Sequence, residues 1–76
     1  MTMTPEQASM EVLQELHRAR KKFPKLNSGH EGYAVILEEL DELWECVKNN
    51  QPHLARKEAV QVAAMALAFM VEITDG

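Results

Sequence analysis

The run from Ala59 to Val71 contains thirteen residues, and Gln61 is the only polar side chain among them. Surface helices keep a polar face, so a helix that is apolar almost all round is expected to be surrounded by protein. It is too short to span a bilayer, which takes about 18 to 20 apolar residues. Ala63, Ala64, Ala66 and Ala68 instead allow neighbouring helices to approach closely. A domain of 76 residues buries only about 60% of its unfolded surface, which leaves a marginal core. Two short helices cannot enclose this third one, so the chain is expected to form a homo-oligomer, at least a dimer, in which third helices share a core.

Two helices precede it. Thr4 as N-cap, Pro5 at the first helical position and Gln7 closing a capping box start the first. Ala8, Val12, Leu16, Ala19 and Phe23 form its core-facing stripe, and Pro24 stops it. Ser28 and Glu31 are placed as a second capping box. Tyr33, Ile36, Leu37, Leu40, Leu43, Trp44 and Val47 then recur on one arc of the second helix, which marks Tyr33 and Trp44 as core. The short link Gln51-Pro52 implies an antiparallel third helix from about His53 to Ile73. The expected fold is all-α, a single domain over 1–76: a three-helix protomer with a central antiparallel hairpin, completing a helical bundle by homo-oligomerisation. The lone cysteine Cys46 and an N-terminus without a basic, then apolar, leader fit the cytoplasm. No membrane partner is expected, and the net charge of −4 argues against a nucleic-acid polymer.

Chemistry concentrates between Glu38 and Glu45, where five of the twelve acidic residues occupy eight positions. Like charges at helical spacing repel, which suits either a wet acidic surface or a cradle for a divalent cation. Glu39 and Glu42 lie on the row Val35, Glu39, Glu42, Cys46, between apolar residues, and a row of that kind is expected to be covered. With a turn near residue 51, Glu42 and Glu58 stand at nearly the same height on the hairpin, and Glu39 and Gln61 form the next layer. Helical bundles build carboxylate metal sites from facing helices in this way. Five of the eight basic residues lie between Arg18 and Lys25. They serve helix termination and solubility, or an anionic ligand.

Glu39-x-x-Glu42 followed by Glu58-x-x-Gln61 resembles the ExxE…ExxD signature of the MazG-like all-α nucleoside triphosphate pyrophosphohydrolases. The contexts Gly29 to Trp44 and Glu58 to Ala66 are similar to its small members, and the resemblance spans about residues 28 to 70. It implies Mg²⁺, or Mn²⁺, held by Glu39, Glu42, Glu58 and Gln61. It implies a nucleoside triphosphate substrate cleaved to monophosphate and pyrophosphate, and a dimer or tetramer.

Gln61 departs from the signature, in which this position is Asp. It keeps a carbonyl oxygen and loses the charge, so three carboxylates remain to hold an ion together with substrate phosphates. Water attack at the α-phosphorus asks for charge neutralisation and a base, for which Glu38 or Glu42 is placed. Lys57, Lys48 and Lys21, with Arg18 and Lys22, are the cations available to phosphates, and His30 either touches substrate or merely belongs to the helix start. The sequence has no glycine-rich phosphate loop and no zinc spacing around Cys46. The alternative to an enzyme is a catalytically weak or inactive helical oligomer that binds nucleotides or a protein partner.

Overall fold

A computed structural model describes residues 2–73; the expected domain over 1–76 includes Met1 and residues 74–76, which lie outside them. Three helices follow in order, α1 (Pro5–Lys22), α2 (Gly29–Lys48) and α3 (Pro52–Glu72), and there is no strand among the described residues. Local chemistry sets their ends. The Thr4 hydroxyl accepts from the Gln7 N–H while the Gln7 side chain accepts from the Thr4 N–H, so two of the orphan donors at the helix start are satisfied. The second capping box is only half formed. Ser28 Oγ accepts from the Glu31 N–H, but the Glu31 carboxylate takes the N–H of Asn27 rather than that of Ser28. Pro52, expected in the link, is the first residue of α3, where its missing N–H costs nothing.

The α2–α3 turn fixes the register of the hairpin. Asn50 adopts a left-handed φ of 55°, the Gln51 N–H reaches the Cys46 carbonyl, and the Asn50 N–H reaches that of Val47. This is a Schellman motif, with asparagine in the place glycine usually takes. At the other end, Arg20 forks onto Glu72, whose side chain is 5% exposed and also accepts from the Leu26 N–H. That pair fastens the end of α1 and the α1–α2 loop to the end of α3. The charged hydrogen bonds from Arg20 hold the Glu72 carboxyl below its usual range.

Helix α3 lies in the middle. Both α1 and α2 pack on it and make no helix–helix contact with each other, so a cleft remains between them with α3 as its floor. The core is small, comprising Leu16, Ala64, Met65 and Ala68, with Val12, Ala19, Leu26, Val35, Ile36 and Leu67 against it.

Several apolar residues expected inside are outside in the protomer. Tyr33 is 65% exposed and Trp44 57%, and Leu37, Leu40 and Val47 are also open. The edge that α2 turns to α3 is instead the one carrying Gly32, Val35, Ile36, Glu39, Leu43 and Cys46, all buried or half-buried. The covered row is therefore the one with carboxylates in it, although Glu42 itself stays exposed. Helix α3 shows the same pattern, with Ala59, Ala63, Ala66 and Met70 exposed at steps of four, three and four. Phe23, expected at the end of the α1 stripe, caps that helix and is 63% exposed.

Gly32 is what lets α2 lie so close. A Cβ there would meet the Phe69 ring at 2.5 and 2.9 Å and Leu26 Cδ1 at 3.4 Å. Alanine gains up to about 1 kcal/mol in a helix interior over glycine, but displacing a packed ring costs about 1–3 kcal/mol. Gly32→Ala is expected to destabilise by about 1–2 kcal/mol, read as a lower urea midpoint with unchanged slope.

Candidate carboxylate site and cleft

The register set by the Asn50 turn brings acids of two helices together. Glu39 and Glu42 from α2 and Glu58 from α3 each offer a carboxylate oxygen, and these three atoms lie within 4.8 Å of one another. The site is half-buried at Glu39 and Glu58 and open at Glu42. Burial and then the charges of Glu42 and Glu58 push the Glu39 carboxyl up to about 7. The Glu58 carboxyl is raised too, first by burial and then by its contact with Glu42. Glu58 Oε2 is fully shielded from solvent and has no hydrogen-bond partner. An unpaired, desolvated carboxylate oxygen costs free energy, and a cation held by the three hard oxygens would remove both that penalty and the repulsion. The residues fit a divalent ion.

The cluster stands at the edge of the cleft between α1 and α2, which has a volume of about 560 Å³. Its α2 wall presents Glu31, Val35, Glu38 and Glu39, and its floor is Gln61 and Met65 of α3. The α1 wall presents Glu15, Arg18, Ala19 and Lys22, and the loop adds Phe23, Lys25 and Leu26. One wall is thus acidic, the other largely basic, with apolar surface between them. Among the described residues no ion pair engages Lys22 or Lys25, whereas Arg18 is tied to Glu15 and Arg20 to Glu72.

The sequence-derived candidates divide accordingly. Glu38, Glu39 and Gln61 line the cleft, and Glu42 and Glu58 complete the carboxylate cluster beside it. Lys57 lies outside the cleft, in a shallower depression shared with Glu15, Arg18 and Gln61. Lys48 pairs with Glu45 at 2.7 Å near the end of α2. Neither Lys48, Lys21 nor His30 lines the cleft, and all three are exposed.

The cleft takes Lys22, one of the cations available in the sequence, together with Lys25 and Glu15. Glu15 carried a signal in the sequence, because the row Ala8, Val12, Glu15, Ala19 places a carboxylate among apolar residues just as Val35, Glu39, Glu42, Cys46 does. Lys25 carried none, since any cation near a helix end reads as a capping charge. Among the described residues no helix is long and apolar enough to cross a membrane. Comparisons with known protein families, with curated proteins and with solved structures find no match for this chain.

Proposed function

We propose that the chain is a MazG-like, Mg²⁺-dependent nucleoside triphosphate pyrophosphohydrolase of the cytoplasm, releasing nucleoside monophosphate and pyrophosphate. The observation that carries this reading is the convergence of Glu39, Glu42 and Glu58 within 4.8 Å, at the edge of a cleft whose opposite side holds Lys22 and Lys25. A triphosphate with its divalent ion is a ligand that needs both poles at once. The chemistry such an ion supplies when bound is neutralisation of phosphate charge and acidification of water. Glu39, Glu42 and Glu58 would hold it. Glu38 is exposed in the cleft beside them and accepts the proton of the attacking water; Glu42 is the alternative base, but its carboxylate belongs to the cluster. Lys22 and Lys25 attract the phosphates, and Phe23, Leu26 and Met65 offer apolar surface to the nucleoside.

The protomer also presents a surface for a second copy. The exposed stripes of α2 and α3 meet in a groove that Val47 and Ala59 both line, and this groove has no lining residue in common with the cleft. Pairing two protomers through this face completes a helical bundle and leaves each cleft open.

The neutral Gln61 favours a second reading, a helical oligomer that binds nucleotides without efficient turnover. A screen of ribo- and deoxyribonucleoside triphosphates with Mg²⁺ or Mn²⁺ separates the two. Pyrophosphate and monophosphate appearing in equal amounts is the expected result. Nucleotide binding without any hydrolysis supports the second reading, and release of single phosphates overturns the pyrophosphohydrolase.

A further inference from the structure

The loop between α1 and α2 carries Lys25, a cleft cation that no ion pair engages among the described residues. The backbone of this loop has few anchors. Pro24 has no N–H to donate, the Phe23 N–H closes α1 onto the Ala19 carbonyl, and the Asn27 N–H goes to Glu31 at the start of α2. Among the described residues the one hydrogen bond from the loop to α3 runs from the Leu26 N–H to the Glu72 carboxylate, at 3.0 Å. The Leu26 side chain packs against the core, so the residue that follows Lys25 is held at both its amide and its side chain.

Glu72 is suited to that hold. Its side chain is 5% exposed and also accepts from Arg20 Nε and, at 2.6 Å, from Arg20 Nη2. Hydrogen bonds to an ionised acceptor are roughly twice as strong as neutral ones. The Arg20 hydrogen bonds and, more weakly, the Lys25 charge hold the Glu72 carboxyl down, so the carboxylate is close enough to both cations to offset them. By Coulomb's law alone, such a carboxylate weakens the hold of the cleft on an anion, and removing it should tighten binding. Its hydrogen bond to the loop implies the opposite. We propose that Glu72 is a positioning residue for phosphate binding: through the Leu26 N–H it fixes the loop so that Lys25 stays in the cleft. Glu72 does not itself line the cleft and acts through Leu26 and Lys25. This rests on the phosphate-binding reading of the cleft, and not on which bond is cleaved there.

The probe is inorganic tripolyphosphate with Mg²⁺, titrated by calorimetry into wild type, Glu72→Gln, Glu72→Ala, Lys25→Ala and the double variant Lys25→Ala/Glu72→Ala. Hydrogen exchange of the Leu26 amide is followed in each. Glu72→Ala is expected to weaken binding about 10-fold, the scale of one hydrogen bond to a charged group, and to lose the protection of the Leu26 amide. Glu72→Gln keeps an acceptor for that amide, guards against misfolding of the alanine variant, and is expected to lose less. Lys25→Ala is expected to weaken binding by a similar factor in wild type but by less than about twofold once Glu72 is gone, a coupling that a general loss of stability does not produce. Unchanged or tighter binding in Glu72→Ala, with the Leu26 amide open to exchange, overturns the proposal and leaves Glu72 a clasp for the fold alone. Additive losses in the double variant overturn it as well, as does a wild type that binds no tripolyphosphate. Coupled binding of the probe in a wild type that hydrolyses no nucleoside triphosphate overturns the pyrophosphohydrolase instead and supports the positioning role.

Discussion

Trp44→Glu is expected to abolish self-association and to leave a chain that is largely unfolded at micromolar concentration. Helix α2 carries Tyr33, Leu37, Leu40, Trp44 and Val47 in the open, at steps of four, three, four and three, which is one continuous stripe. Full burial of side chains of this kind is worth about 1.5–3 kcal/mol each, while among the described residues the protomer's own buried apolar set is only Leu16, Ala64, Met65 and Ala68. The accessible surface is 5847 Å², roughly 1,000 Å² more than a compact chain of this mass exposes. That excess is comparable with the roughly 800 Å² that each partner buries in a standard interface. A carboxylate at the centre of the stripe would have to be desolvated without a partner, costing several kcal/mol per subunit. Sedimentation and urea unfolding at several concentrations check this: wild type should be a dimer or larger, with a midpoint that rises with concentration. A stable wild-type monomer whose midpoint ignores concentration would rule out the assembly.

Glu58→Gln is expected to lower hydrolysis on the order of 100-fold, because loss of a ligand forfeits several kcal/mol of charge stabilisation and each 1.36 kcal/mol is tenfold in rate. The same change should stabilise the metal-free protein at pH 8, and the sign follows from the carboxyl shifts. The folded-state value of Glu39 is raised to about 7 from an ordinary 4.5, so the folded chain binds that proton more tightly than the unfolded chain does. Stability from this group is complete below about pH 4.5 and is lost as pH rises through about 7. The loss is at most about 3 kcal/mol, and less once solvent screening of the half-open site is counted. Glu58→Gln removes one of the charges that lift Glu39, which flattens the slope between those values. Millimolar Mg²⁺ at pH 8 should raise the melting temperature of wild type and leave that of Glu58→Gln nearly unchanged. Equal metal responses in the two proteins would return the three acids to plain surface charge.

Much of the architecture was legible because its causes are local. Thr4, Pro5, Pro24 and Ser28 act within a few residues of themselves, so the helix starts and the break before α2 follow from side-chain chemistry alone. The meeting of Glu39, Glu42 and Glu58 was also legible, since a short turn near Asn50 fixes which heights of α2 and α3 face each other, whatever their rotation.

Rotation was not legible. A hydrophobic stripe shows which face of a helix avoids water without showing whether its own chain or another covers it. Tyr33, Leu40 and Trp44 therefore read as core, while α2 turns Gly32, Val35 and Glu39 to α3, the side on which the missing Cβ of Gly32 lets Phe69 approach. Placement across the cleft was equally hidden. Glu15, Lys22 and Lys25 share the cleft with Glu39, which follows them by 24, 17 and 14 residues, because α3 spaces α1 from α2 and the Arg20–Glu72 pair pins the loop. The sequence by itself determined three helices, their ends and the height of each acid along the hairpin, all set by interactions over a few residues or by one short turn. Only the tertiary structure decided which face α2 shows to α3 and which α1 side chains share the cleft, because those depend on packing and charge pairing between distant segments.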